Sequence, residues 1–180
     1  GVINQLQVTA PEIKEVAATI SDEKKVVVDT EGCPRYLGRV IKNVNTKAPT
    51  PVWMERALAR SGIRQHSILV DITNYVLVEL GQPLHAFDGG KVQGAIHVRQ
   101  ATAQEKLVLL NEQEVELTKD VMVIADDAKA LAIAGIMGGL SSSVTDATTE
   151  IFLESAFFAP LHIAGRARRY GLHTDASQRY

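Results

Sequence analysis

The chain has 180 residues, a formal net charge of −2 and an ordinary globular share of apolar residues, 46 %. A weakly acidic balance argues against a domain that grips nucleic acid by bulk electrostatics alone. One cysteine, Cys33, excludes an intrachain disulfide and a cysteine-based zinc site. No apolar run reaches membrane-spanning length and no signal-peptide pattern opens the chain, so a cytoplasmic, reducing compartment is expected. The sequence starts at Gly1 and stops at Tyr180 in mid-pattern, as a piece of a longer protein would.

Residues 1–23 are weakly patterned. Pro11 precedes a stretch, Glu12 to Ile20, that reads as a short helix or, better, as a connector from a preceding domain. Val26-Val27-Val28 is a β-branched run and predicts a strand. Cys33-Pro34 punctuates it, and Tyr36 to Val44 predicts a second strand, with Gly38 at a bulge or a close backbone approach. Thr50-Pro51 opens a helix, Thr50 as N-cap and Pro51 at the first helical position. Val52, Met54, Leu58 and Ala59 supply its apolar stripe and Gly62 its end; Trp53 reads as packing.

Ile68, Leu69, Ile72, Tyr75, Val76 and Leu80 recur at helical steps, with Ser67 as N-cap and Gly81 as the C-terminal stop. Pro83 forbids continuation. His85 and Asp88 then fall on an apolar connector, and Thr73 and Asn74 on the helix before it. Polar groups among residues that favour burial need partners, and a ligand can be one. The plain alternative is a capped helix followed by a hydrogen-bonded turn.

From residue 95 the pattern changes to short strands. Ile96 to Val98 alternates with polar neighbours, and Leu107 to Leu110 and Val115 to Leu117 flank a turn at Asn111-Glu112-Gln113. Val121 to Ala125 predicts another strand. Leu131 to Gly139 is apolar, small and glycine-rich, a strand whose backbone something can approach closely, or a tight strand crossing. Its glycine spacing is not that of a dinucleotide-binding loop. Ser141 to Ser143 is a polar loop and Thr149 to Phe157 a strand. Glu154 stands out there: a carboxylate beside Ser155-Ala156-Phe157-Phe158 is at an edge, paired, or binding something. Pro160 to Tyr170 predicts one helix closed by Gly171, its last turns crowded by Arg166, Arg168 and Arg169; these cations suit the helix dipole or a phosphate. Thr174 can cap a further helix. The sum is an α+β chain with helices flanking a set of hairpin-linked strands.

Several stretches together carry a resemblance: Cys33-Pro34-Arg35-Tyr36, Trp53 to Gly62, Asp71 to Tyr75, Gly81 to Asp88, Gly135 to Gly139, and Gly165 to Tyr170 with His173 to Ser177. In unbroken order over residues 31–180 they resemble the central editing domain of the bacterial phenylalanyl-tRNA synthetase beta subunit, residues 1–30 being similar to the linker from the preceding domain. The resemblance implies a mixed β-sheet sandwich of unusual topology with flanking helices. It implies hydrolysis of tyrosine wrongly attached to the phenylalanine tRNA, inside a ligase that uses ATP and magnesium. No cofactor is implied for this region. The partners implied are the tyrosine-charged tRNA and an alpha subunit, in a heterotetramer, without a membrane.

By the same resemblance Glu154 is the acceptor for the tyrosine hydroxyl, and Ala134 and Gly135 wall the aromatic slot. Thr73, Asn74 and His85 surround the ester, with Arg64 a further candidate near it. No dedicated nucleophile is visible, so a positioned water is expected to dominate, with His85 as a base or as a positioning group. A non-catalytic binding module for an aromatic amino acid or peptide, and a structural domain within the synthetase, are the alternatives.

Overall fold

The computed structural model describes Gln7 and residues 12–180. Among these residues ten strands form: β1 (Val26–Val28), β2 (Arg35–Lys42), β3 (Leu84–Asp88), β4 (Ile96–Gln100), β5 (Lys106–Val108), β6 (Glu114–Glu116), β7 (Met122–Ala125), β8 (Ala130–Ile133), β9 (Met137–Gly138) and β10 (Glu150–Phe157). Four α-helices accompany them: α1 (Val52–Arg60), α2 (Ile68–Leu80), α3 (Pro160–Ile163) and α4 (Arg166–Arg169). The strands make a five-stranded sheet ordered β1-β4-β7-β8-β9, a three-stranded sheet ordered β2-β10-β3, and the β5-β6 hairpin. The β1–β4 pair is parallel and the others antiparallel, so the five-stranded sheet is mixed and the three-stranded sheet antiparallel. This is the α+β sandwich expected.

The long β10 is the centre of the smaller sheet, because its two neighbours take opposite edges over nearly its whole length. Phe152, Glu154 and Ala156 are its buried face, meeting the core of Ile124, Leu131, Ile133 and Phe158. Val26 to Val28, inside the segment expected to be a linker, pairs with β4 and extends the large sheet. Glu12 to Ile20 forms no helix; Pro11 lies outside the described residues.

Four local expectations change. Pro51, with φ −58° and ψ 137°, holds the cap position of α1, because the Thr50 hydroxyl donates instead to Asp71 Oδ2 at 2.6 Å. The glycine-rich stretch 131–139 is not one strand: Gly135, at φ +68°, turns β8 back into β9. The 160–170 helix is broken into α3 and α4 by Gly165, whose φ of +79° is left-handed. His85 and Asp88 sit on strand β3 rather than on a connector, and hydrogen bonding to β10 holds them.

Candidate functional site

Antiparallel register sets which side chains share a face. Glu154 on β10 stands directly opposite His85 on β3 and opposite Gly38 on β2. Tyr36 is opposite Ala156, one step diagonal from Glu154, a separation that an aromatic side chain bridges. Gly38 makes that bridge possible: a Cβ there would collide with the Phe152 ring, which lies over β2. Tyr36 stacks on that ring, centroids 6.5 Å apart and planes at 12°. Its hydroxyl donates to Glu154 Oε2 at 2.7 Å. Among the described residues this is the hydrogen bond the carboxyl accepts.

Burial pushes the Glu154 carboxyl up to about 7, against the downward pull of the Tyr36 bond. His85 is partly exposed as a residue, but its Nε2 is shielded and lacks a hydrogen-bond partner. Burial lowers its pKa to about 4, so the ring is neutral at physiological pH. Its ring packs edge-on to Phe87 at 4.5 Å and close against Gly138, where a Cβ would lie 2.5 Å from His85 Cε1. The absence of that Cβ lets β9 pass over the imidazole.

These groups line a cleft of about 500 Å³ between the two sheets. Ala132, Ala134, Gly135 and Gly138 line it on the β8–β9 side, His85 and Glu154 on the β3–β10 side, and Asn74 reaches it from α2. The segment after α4 completes the lining. Thr174 donates to the Ile136 carbonyl at 2.9 Å and accepts from the Ser177 amide at 3.2 Å; the element after it is a single 3-10 turn, Ala176–Gln178, with Asp175 rather than Thr174 at its cap position. Tyr180 donates to the Ala156 carbonyl at 3.3 Å. An apolar wall with a few convergent polar groups is the ordinary lining of a small-molecule site.

Five of the residues singled out in the sequence therefore meet at one cleft: Asn74, His85, Ala134, Gly135 and Glu154. Two do not. The Thr73 hydroxyl donates to Val70 within its own helix at 2.9 Å, and Arg64 lies exposed on the link between α1 and α2; neither is among the residues lining the cleft. Asp88 is spent on structure, accepting from Thr148 at 2.7 Å and the Gly90 amide at 3.1 Å. Arg169 pairs with Asp120 at 2.7 Å and Arg166 donates to nearby carbonyls, which places both in local packing. Sequence reading missed Tyr36, His66, Gly138, His173, Ala176 and Tyr180 as residues of or behind the cleft. For Tyr36 the sequence showed only that it shares a strand face with Gly38, two residues on; that this face meets Glu154 follows from the register with β10. Among the described residues no group of three or more His, Cys, Asp or Glu side chains gathers as metal ligands do.

The mixed α+β fold agrees with what known proteins show. A family model described as the B3/4 domain matches residues 32–180, and the chain belongs to that family. Similar proteins along its whole length are phenylalanine–tRNA ligase beta subunits, 74 % identical in Acinetobacter baylyi and 60 % in Dechloromonas aromatica. The chain spans 23 % of the length of each, about a quarter. An N-terminal fragment of the phenylalanyl-tRNA synthetase beta subunit from Pyrococcus horikoshii shares the fold, with a TM-score of 0.59 at 13 % identity over 84 % of this chain and 49 % of that one.

Proposed function

We propose that the chain is the editing module of a phenylalanyl-tRNA synthetase beta subunit and hydrolyses the ester joining tyrosine to the phenylalanine tRNA. The observation that carries this reading is Glu154: a buried carboxyl in an aromatic-sized cleft walled by alanines and glycines. The chemical need is specific. A synthetic pocket shaped for phenylalanine rejects an isostere with one added hydroxyl only about a hundredfold. A second pocket with a buried acceptor inverts the preference, because phenylalanine leaves that acceptor unpaired.

Hydrolysis then requires the ester carbonyl beside a held water. Asn74 lines this cleft and is suited to orient such a water, and the unpartnered His85 Nε2 joins it when β9 moves off the imidazole. Thr174 already gives its hydroxyl proton to Ile136, so it is not used as a nucleophile. Positioning is the mechanism we assign, not covalent catalysis. In this reading the parent enzyme is a cytoplasmic ligase that uses ATP and magnesium, and it acts with an alpha subunit and the phenylalanine tRNA.

A second reading, a non-catalytic binding module for an aromatic amino acid, is favoured by two observations: Tyr36 already satisfies one Glu154 oxygen, and burial makes His85 a weak base. One experiment separates the readings. In the full ligase, Glu154→Ala is expected to let tyrosyl-tRNA accumulate while phenylalanine charging stays near normal. Equal loss of charging and editing would make Glu154 structural. Binding of tyrosine without single-turnover deacylation of tyrosyl-tRNA by the wild type would make the domain a binding module.

A further inference from the structure

We propose that Tyr36 is a positioning residue for specificity: from behind the cleft its phenol occupies Glu154 Oε2, which leaves the other carboxyl oxygen as the one that recognises a substrate phenol. The proposal rests on Glu154 being the acceptor for tyrosine, as argued above. Its geometry is independent of that reading. Tyr36 is not among the residues lining the cleft, whereas Glu154 is, and the 2.7 Å bond joins the two. The Tyr36 ring is held by its stack on Phe152 and cannot swing into the slot without losing that contact. An ionised carboxylate offers about four acceptor sites on two oxygens, so two phenols can be bound by one group. The protein supplies the first and the ligand the second.

The pairing also sets the charge that the ligand meets. Hydrogen bonds to an ionised acceptor are roughly twice as strong as neutral ones. Burial favours the protonated form of Glu154, and the Tyr36 donor opposes it. The other titratable groups facing the carboxyl are Cys33 before β2, His85 on β3 and Tyr180 after α4; His66, His173 and Asp175 line the same cleft. Burial and the Glu154 charge push the Cys33 thiol up to about 11, and burial first raises Tyr180 as well, so both are neutral near pH 7. His85 is neutral there too. Tyr36 is therefore the neighbour whose hydrogen bond favours the ionised form of Glu154, against the larger effect of burial.

The test is Tyr36→Phe in the full ligase, which keeps the ring and its stack and removes the donor. The expected result is a roughly ten- to hundredfold fall in kcat/KM for deacylation of tyrosyl-tRNA, the scale of a bond to a charged group. The loss should appear mainly in KM, with the pH inflection displaced upward and hydrolysis of phenylalanyl-tRNA unchanged. Placing 3-fluorotyrosine at position 36, a more acidic phenol, should displace the inflection downward. Equal loss for both esters with an unmoved pH profile would make Tyr36 structural and overturn the proposal, as would an unchanged tyrosine preference.

If the wild-type ligase deacylates no tyrosyl-tRNA, the editing reading fails, and binding decides the role of Tyr36. Calorimetry of free tyrosine and phenylalanine with the 180-residue chain should then show a tyrosine preference that Tyr36→Phe removes. A preference that survives the substitution, or is missing from the wild type, overturns the proposal.

Discussion

Glu154 and His85 face each other across paired strands, and burial moves their proton affinities in opposite senses. Glu154 is raised from 4.5 to about 7. Between those values the native chain keeps a proton that the unfolded chain has lost, so stability falls as pH rises through this window. His85 is lowered from 6.5 to about 4, and there the unfolded chain holds the extra proton, so stability rises with pH. Each contribution amounts to about 3 kcal/mol at full extent. The two slopes nearly cancel from about pH 4.5 to 6.5. Glu154→Gln should therefore gain stability, relative to wild type, as pH rises toward 7, and His85→Gln should lose it. Urea titrations of both variants and wild type across pH measure this, and the difference from wild type cancels the other carboxylates. Parallel curves for all three proteins would mean that the pair does not titrate as its burial requires.

Among the elements, the α1–α2 hairpin depends on one buried carboxylate. Asp71 is fully buried on α2 and accepts from Thr50 Oγ1 at 2.6 Å and the His66 amide at 2.8 Å. It thus ties together the residue before α1, the link 61–67, and the helix that brings Asn74 to the cleft. Asp71→Ala leaves two donors without their charged acceptor, at a cost of about 3 kcal/mol. Asp71→Asn should recover part of it, because the amide oxygen still accepts. The check is a lowered denaturation midpoint with an unchanged denaturant slope, which isolates a change in stability. A midpoint that does not move in Asp71→Ala would show that solvent replaces both bonds. The helix pair was visible in the sequence from its apolar period. The use of Thr50 was not, since a threonine before Pro51 satisfies the cap rule equally well.

Over the whole molecule the decisive pairings are distant in sequence. Arg35 pairs with Phe157 and Lys42 with Glu150, and Val26 pairs with Ile96. Loop closure must be met before such contacts reward it, so topologies of this kind fold slowly. Refolding of the chain from urea, followed by stopped flow, is expected in the range of roughly milliseconds to seconds. Tyr36→Phe should leave that rate almost unchanged. Refolding within microseconds would require a nucleus built from local contacts, which β2, β3 and β10 do not supply.

What the sequence determined by itself was local. The apolar period of 68–80, the β-branched run 26–28 and the alternation of 149–157 each became the element that their spacing demands. The turn at Asn111-Glu112-Gln113 joined its hairpin for the same reason. Glu154 could be singled out because a carboxylate within an apolar alternation needs an explanation. Only the tertiary structure decided which explanation applies. Whether Glu154 is paired depends on register: shifting β2 by one residue against β10 would turn Tyr36 to the opposite face. No local pattern specifies that register, because strands more than a hundred residues apart find each other only through the shared core. The same holds for His85, whose neutral ring follows from β9 passing over it at Gly138. Hydrogen-bond partners and proton affinities belong to the assembled sheets, so they become legible only once the chain has folded.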